Sequence, residues 1–208
     1  MSQAGEPTWV AQLAQRLEPL STVWEPSGAH GQAAAVLALL SLQDAPDLVL
    51  TMRAADLAHH AGQISLPGGR REPGDQSPSD TALRETHEEI GLPPSRVHLI
   101  GQMRPRELTS ANRVIPVVGV WSGQEALAAD GHEVELIIRW PISLLAAPDH
   151  RLMARHPIGG HGPAWQIDDL FLWGFTGYLV DALIHQAGWE QDWDKDRTVE
   201  VPARFRKP

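Results

Sequence analysis

A glycine-rich turn leads directly into an acidic helix at residues 66–91, which read LPGGRREPGDQSPSDTALRETHEEIG. Ser77 is a typical helix N-cap, a proline suits the first turn after it, and Asp80 stands where the acid of a capping box is expected. Gly91 favours the left-handed conformation that ends a helix, and two prolines shortly after it prevent continuation. The pattern therefore predicts a helix over Pro78–Ile90.

This helix carries three glutamates on one face. Glu85 precedes Glu88 by three residues and Glu89 by four, so the carboxylates are neighbours and repel each other by about a few tenths of a kcal/mol per pair. A hard divalent cation removes this penalty because it prefers carboxylate oxygens as ligands. Arg84 lies four residues before Glu88 and is placed to hold its carboxylate. The alternative interpretation is a solvated acidic face without a metal ion.

The preceding turn contains the pair Gly68-Gly69, which lets the backbone approach a metal ion or a phosphate closely. Turn and helix together resemble the Nudix box of the Nudix hydrolases, whose R-E-x-x-E-E-x-G pattern is matched at residues 84–91. Two positions depart from the usual box. Asp75 stands where a glutamate is usual, and one residue more than usual separates it from Arg84. The extra residue falls in the loop before the helix, where it leaves the carboxylate face unchanged.

The resemblance implies an α/β fold class, a Nudix-type α/β/α sandwich with a mixed β-sheet and a loop-helix-loop catalytic motif. It implies hydrolysis of a nucleoside diphosphate linked to another group, with Mg²⁺ or Mn²⁺ as the cofactor. The implied metal ligands are Glu85, Glu88, Glu89 and the carbonyl of Gly68, and the implied catalytic residues are Glu85, Glu88 and Arg84. Glu85 either binds the metal or acts as the base, a division that differs between family members.

A second segment, LTMRAADLAHHAGQISLPGG at residues 50–69, resembles the signature that precedes the box in coenzyme A pyrophosphatases. Ala58 stands where a second arginine is usual, and Leu66 replaces an aromatic residue. Residues 132–142 and 172–177 extend the resemblance. The matching positions in the signature are Arg53, Ala54, His60, Gly62 and Pro67.

This resemblance implies a CoA-like nucleotide as the substrate. Coenzyme A or acyl-CoA would give 4′-phosphopantetheine, or its acyl form, and adenosine 3′,5′-bisphosphate. The implied substrate-binding residues are Arg53, Arg70, His60 and Gly69, and further cations are available at Arg71, Arg104, Arg106 and Arg113. His59 and His60 are predicted to be structural, because adjacent histidines on a loop seldom bind the same ion.

Two alternatives remain open at this point. The Ala58 departure keeps another diphosphate, such as ADP-ribose or a dinucleotide, as a candidate substrate. A noncatalytic Nudix module that senses a nucleotide is disfavoured because the three helix glutamates are intact. Glu133 is a late acid in a family-like segment, and it is either a base, an extra ligand or a structural residue.

Outside the box, hydrophobic periodicity divides the chain into further elements. We predict an N-terminal extension at 1–30 with a short helix at 9–17, a catalytic domain at 31–190 and a C-terminal tail at 191–208. The domain is predicted to contain a strand pair at 33–40 and 48–52, strands at 97–103, 114–121 and 133–140, helices at 142–146 and 173–187, and a turn at Asp168-Asp169 before the last helix.

Composition excludes several classes of protein. The 208 residues are 42% hydrophobic and 21% charged, typical of a globular chain, and there is no cysteine for disulfides or thiolate metal sites. The formal net charge of −9 lacks the basic footprint of a nucleic-acid partner. The longest apolar run is far shorter than the about 20 residues of a membrane span. No export signal is expected, so the predicted compartment is the cytoplasm. The apolar, tryptophan-rich ends are compatible with a homodimer.

Overall fold

The computed structural model describes residues 6–24, 32–55, 57, 60–109, 112–157 and 159–206. Within these residues the α-helices are α1 (Thr8–Ala14), α2 (Pro78–Ile90), α3 (Ile142–Ala146) and α4 (Gly174–Ala187). The first eight β-strands are β1 (Gln32–Ser41), β2 (Asp47–Arg53), β3 (Ile64–Ser65), β4 (Gly68–Arg70), β5 (His98–Gln102), β6 (Arg106–Thr109), β7 (Asn112–Trp121) and β8 (Val134–Pro141). The others are β9 (Arg151–Arg155), β10 (His161–Ile167), β11 (Leu170–Leu172) and β12 (Thr198–Glu200).

Strands β1 to β8 form one mixed sheet whose main path is β3-β2-β1-β7-β5. β1 runs parallel to β7 along its whole length and forms the predicted antiparallel hairpin with β2. β2 stays beside β1 only at the pairs Leu39–Val49 and Leu40–Leu48, and β4 takes over the same edge of β1 nearer its start. The prediction of a turn at Gly68-Gly69 is therefore wrong, because both glycines lie in β4 and pair with the edge of β1 that β2 leaves free.

The two faces of the sheet are covered by different helices because side chains alternate along a strand. Leu37 and Leu39 of β1 pack on the face that contacts α2, in one cluster with Ile90. Ala38 and Leu40 point to the opposite face, where α1, α3 and α4 complete a second cluster. The α/β class predicted from the sequence, with a mixed sheet between helices, is confirmed.

A second, four-stranded sheet in the order β11-β10-β9-β12 packs beside α4. Its strands are not predicted from the sequence. Proline is rare within strands, and Pro163 lies inside β10, while charged residues begin and end β9. Asp168-Asp169 is a turn before the last helix, as predicted, and the short strand β11 lies between the two. These residues form the two-residue loop of the β10–β11 hairpin, which Asp168 enters with a positive φ of 50°.

The predicted bounds of α2 and α3 are confirmed, and α4 begins one residue later than predicted. α1 ends at Ala14 rather than at residue 17, and its buried side chains Trp9, Val10 and Leu13 belong to the core cluster under α4. In the last part of the chain, β12 pairs in parallel with β9. The division at residues 30 and 190 remains a prediction. Within the described residues, no helix combines the length and apolarity needed to cross a membrane.

Candidate active site

Helix α2 is fixed at both ends, which fixes the direction of its carboxylate face. Ser77 Oγ accepts a hydrogen bond from the Asp80 N–H at 3.2 Å, and Asp80 Oδ2 accepts one from the Ser77 N–H at 2.9 Å. Gly91 adopts the left-handed conformation at φ 72° and donates its N–H to the His87 carbonyl. The capping box and the glycine end predicted from the sequence are both present.

Arg84 on α2 holds the loop between β4 and α2 through hydrogen bonds to Asp75. Its Nε donates to Asp75 Oδ1 at 3.2 Å and its Nη2 to Asp75 Oδ2 at 3.0 Å, while Nη2 also reaches the carbonyl of Arg70 at 3.0 Å. Asp75 is 5% exposed and further accepts hydrogen bonds from Thr81 Oγ1 and the Glu72 N–H. Burial opposes ionisation of Asp75, but these hydrogen bonds outweigh it and lower the pKa of the carboxyl to about 2.

The same guanidinium organises two of the helix glutamates. Arg84 Nη1 donates to Glu88 Oε2 at 2.9 Å, the contact expected from their spacing, and Nη2 donates to Glu85 Oε1 at 3.1 Å. Glu88 is 57% exposed, whereas Glu85 is largely buried. Burial raises the pKa of Glu85, and the neighbouring Arg84 partly offsets this. Arg84 thus holds the carboxylates of Glu85 and Glu88 beside β4, whose Arg70 carbonyl it also contacts.

The third glutamate, Glu89, faces Gly68 at the start of β4. Its Oε2 accepts a hydrogen bond from the Gly68 N–H at 3.0 Å, and the residue is 5% exposed. Burial raises the pKa of Glu89 to about 8 against the effect of this hydrogen bond, and the charges of Glu85 and Glu133 add to the rise. The observed contact uses the Gly68 amide, while the carbonyl of Gly68 as a metal ligand remains a prediction.

Close approach of neighbouring atoms requires glycine at both positions of the pair in β4. A Cβ on Gly68 would lie 2.5 Å from Val36 Cα, and its φ of 145° disfavours any side chain. A Cβ on Gly69 would lie 2.5 Å from Glu85 Cδ, within the carboxylate itself. Gly69 therefore acts by leaving space for Glu85.

We expect the substitution Gly69→Ala to displace the Glu85 carboxylate and to lower kcat about 10-fold, because small misplacements of catalytic groups are costly. Gly74→Ala in the same loop is the matched control, since a Cβ there meets no atom within 4 Å and should leave kcat unchanged. Steady-state kinetics on both variants, with thermal unfolding to verify folding, makes the comparison. Equal kcat values for the two variants would contradict the steric role of Gly69.

Two residues from other strands complete the charged site. Arg53 at the end of β2 lies 3.9 Å from Glu133, measured from Nη1 to Oε2, and its charge lowers the pKa of Glu89. The Nε of Arg53 is buried and has no hydrogen-bond partner among the described residues. Glu133 is 60% exposed, and its charge raises the pKa of both Glu85 and Glu89. Among the described residues, the carboxylates of the site are thus accompanied by two cations, Arg84 on α2 and Arg53 at the end of β2.

The other residues predicted to bind substrate, and two of the further cations, make contacts away from the glutamates of α2. His60 is exposed, has a φ of 57°, and pairs its Nδ1 with Gln63 Oε1 at 3.1 Å, which orders the turn before β3. Arg70 follows Gly69 on β4. Because side chains alternate along a strand, the exposed side chain of Arg70 points away from the face of β4 that meets Glu85. Arg104 pairs with Glu18 at 3.3 Å, and Arg71 stacks on Trp24. Ala58 and His59 lie outside the described residues.

Asp75 and Glu133 lie at the site although neither is among the metal-binding or catalytic residues that the resemblance implies. Asp75 departs from the usual box, and its place in the motif is the signal that could have indicated its contact with Arg84. Glu133 lies in a family-like segment, and only the pairing of β8 with β2 brings it to Arg53. In the part of the chain that the structure describes, no three acidic or histidine side chains are already grouped as a metal site. Glu85 and Glu88 are instead bonded to Arg84, and Glu89 to Gly68.

The α/β fold thus sets the acidic face of α2 against the glycine pair of β4. The NUDIX domain model matches residues 30–160, so the chain belongs to the Nudix family and is a Nudix hydrolase. Nudix hydrolases cleave the pyrophosphate linkage of nucleoside diphosphate derivatives, and they generally use divalent metal ions. The family and fold predicted from the box are confirmed.

Relatives agree with this assignment, and a solved structure shares the fold. The chain is 34% identical over 161 residues to the uncharacterized Nudix hydrolase NudL of Yersinia pestis (strain Pestoides F), covering 76% of this chain and 81% of the relative. NudL of Yersinia pseudotuberculosis (serotype O:1b, strain IP 31758) matches with the same identity and coverage. The fold is similar to that of the Nudix hydrolase RenU from M. smegmatis, with a TM-score of 0.53 and 18% identity over 80% of this chain and 90% of that one.

Proposed function

We propose that this Nudix hydrolase cleaves the diphosphate of coenzyme A or acyl-CoA. The products are 4′-phosphopantetheine, or its acyl form, and adenosine 3′,5′-bisphosphate. The observation that carries the proposal is the position of Arg53, from the CoA-type signature, beside the Nudix carboxylates, with a side chain that is 27% exposed and so accessible to a phosphate group. Arginine suits this role because its planar guanidinium matches phosphate geometry.

The carboxylates fit a divalent cation, Mg²⁺ or Mn²⁺. Glu89 is buried and faces the charges of Glu85 and Glu133, an arrangement that costs free energy unless a cation compensates it. Glu85, Glu88 and Glu89 supply the oxygen ligands that these ions prefer. When bound, such an ion would neutralise the negative charge of the diphosphate and lower the pKa of a water molecule that it binds.

The remaining groups have separate tasks in the proposed reaction. Arg53 orients a phosphate of the substrate, and Arg84 holds Glu85 and Glu88 through the hydrogen bonds described above. Glu133 is exposed and, among the described residues, contacts only Arg53 at ion-pair distance, so its carboxylate is available as the proton acceptor. The oxygen of a water molecule then bonds to phosphorus, its proton passes to Glu133, and the bond from phosphorus to the bridging oxygen breaks.

Product analysis of the purified protein tests the proposal. Coenzyme A, ADP-ribose and diadenosine polyphosphates are offered separately with Mg²⁺ or Mn²⁺, and products are identified by ³¹P NMR and mass spectrometry. We expect conversion of coenzyme A to phosphopantetheine and the bisphosphate, abolished by EDTA and restored by added Mg²⁺. Faster hydrolysis of ADP-ribose or a dinucleotide would contradict the CoA assignment. Tight binding without turnover would identify a nucleotide sensor instead.

The substitution Arg53→Gln is expected to lower kcat/KM for coenzyme A about 10- to 100-fold, since it removes a charged hydrogen bond to phosphate. Arg139→Gln is the matched control, because Arg139 is paired with Asp47 on the outer strand of the sheet and should leave kcat/KM unchanged. Initial-rate kinetics with coenzyme A measures both. A wild-type kcat/KM for Arg53→Gln would remove Arg53 from substrate binding.

A further inference from the structure

The loop between β7 and β8, residues 122–133, runs past the carboxyl end of α2. The Ala128 N–H donates to the Ile90 carbonyl at 3.0 Å, and the Asp130 N–H donates to the Glu89 carbonyl at 3.1 Å. At its far end, the Glu133 carbonyl accepts a hydrogen bond from the Ala54 N–H at 2.9 Å. The loop therefore bridges the glutamate-bearing helix and the strand end that carries Arg53.

The Asp130 side chain shapes this loop. Its Oδ1 accepts the N–H groups of His132 at 3.2 Å, Glu133 at 3.2 Å and Val134 at 2.8 Å, and its Oδ2 also accepts the Glu133 N–H at 3.2 Å. Gly131, with a φ of 73°, closes the turn by donating its N–H to the Val134 carbonyl. One exposed carboxylate thus fixes the backbone on both sides of Glu133.

The Glu133 side chain, by contrast, is held weakly. Its described polar contact is the 3.9 Å ion pair with Arg53, and the residue is 60% exposed. A side chain that receives so little support from its own contacts depends on its backbone for its direction. The position of the Glu133 carboxylate opposite the α2 glutamates is therefore set by the loop.

We propose that Asp130 is a positioning residue for hydrolysis, which fixes the Glu133 backbone so that its carboxylate faces the site. This inference rests on the proposed function, in which Glu133 accepts the proton of the attacking water. Asp130 itself touches no reacting atom and acts through Glu133. Groups that orient a catalytic or ligating residue commonly contribute about 10- to 100-fold to activity.

Kinetics on a double-mutant cycle tests the inference, using coenzyme A and Mg²⁺ as the probe. We expect Asp130→Ala to lower kcat about 10- to 100-fold with KM changed less than about threefold. Asp130→Asn keeps the Oδ1 acceptor that serves all three N–H groups, so it should restore kcat to within about threefold of the wild type. In the Glu133→Gln background, Asp130→Ala should cause no further loss.

Asp194→Ala is the matched control, because Asp194 Oδ1 also accepts a local backbone N–H, that of Asp196 at 2.9 Å, in the C-terminal segment. This variant should have the kcat of the wild type. Equal losses from Asp130→Ala in the wild-type and Glu133→Gln backgrounds would overturn the inference, since the residue would then act independently of Glu133. An unchanged kcat for Asp130→Ala would overturn it as well.

Amide hydrogen exchange without substrate gives a second readout. We expect faster exchange at residues 132–134 in Asp130→Ala and near wild-type exchange in Asp130→Asn, and unchanged exchange in the alanine variant would overturn the inference. The two proposals fail in different ways. Absence of hydrolysis by the wild type overturns the proposed function and the positioning role together, whereas hydrolysis with independent effects in the cycle overturns the positioning role alone.

Discussion

Replacing Glu89 by glutamine is expected to lower kcat about 1,000-fold while the protein remains folded. The substitution keeps the size of the side chain and an oxygen that can accept the Gly68 N–H, but it removes the charge that a divalent ion needs. A loss of this size corresponds to about 4 kcal/mol of transition-state stabilisation, in the range found for a single preorganised electrostatic group. Steady-state kinetics with Mg²⁺ measures the change.

The control for this prediction is Glu200→Gln, which removes a carboxylate from β12 in the second sheet, where it pairs with Arg155. Its kcat should equal that of the wild type. In metal-free protein, Glu89→Gln is expected to be at least as stable as the wild type, because ionising a buried carboxyl costs free energy. Normal activity of Glu89→Gln would remove the residue from the metal site.

The substitution Asp75→Asn is expected to lower the free energy of unfolding at pH 7 by about 2 kcal/mol, the amount that corresponds to a pKa lowered from 3.8 to about 2. Asparagine has one uncharged oxygen in place of the two carboxylate oxygens that accept hydrogen bonds from Arg84. Its NH₂ group would stand where the second oxygen accepts, and it would face an N–H donor of Arg84. Chemical denaturation at several pH values measures the difference. Activity should fall as well, because Arg84 loses the partner that holds it beside Glu85 and Glu88.

The lowered pKa of Asp75 determines how the free energy of unfolding changes with pH. A carboxyl whose pKa is lower in the folded state stabilises the protein above its unfolded pKa, near 4, and loses that contribution as the pH falls toward 2. The stability difference between wild type and Asp75→Asn should therefore narrow between pH 4 and pH 2. Asp169→Asn, at a fully exposed turn, is the control and should match the wild type throughout. A constant difference over this range would contradict the charged role of Asp75.

The local elements around the box could be predicted from sequence because they depend on neighbours along the chain. The N-cap at Ser77, the end at Gly91 and the common face of Glu85, Glu88 and Glu89 all follow from helix periodicity and capping within one segment. The same holds for the contact of Arg84 with Glu88, one helical turn apart. The Nudix family follows from the same motif.

Contacts between distant segments were decided by the tertiary structure. Arg53 and Glu133 meet only because β2 pairs with β8, and Gly68 reaches Glu89 only because β4 takes the edge of β1 beneath α2. The second sheet likewise depends on pairing between β9, β10 and β12.

The physical reason is the range of the interactions. Capping and helical spacing are set within a few residues, so the sequence by itself determined the acidic helix and both of its ends. Strand pairing and burial depend on which distant segments of the chain pack together. In another arrangement of the same segments, these charged side chains would be exposed to water. The tertiary structure alone therefore decided that Asp75 is buried against Arg84, that Glu89 is buried, and that Glu133 faces the site.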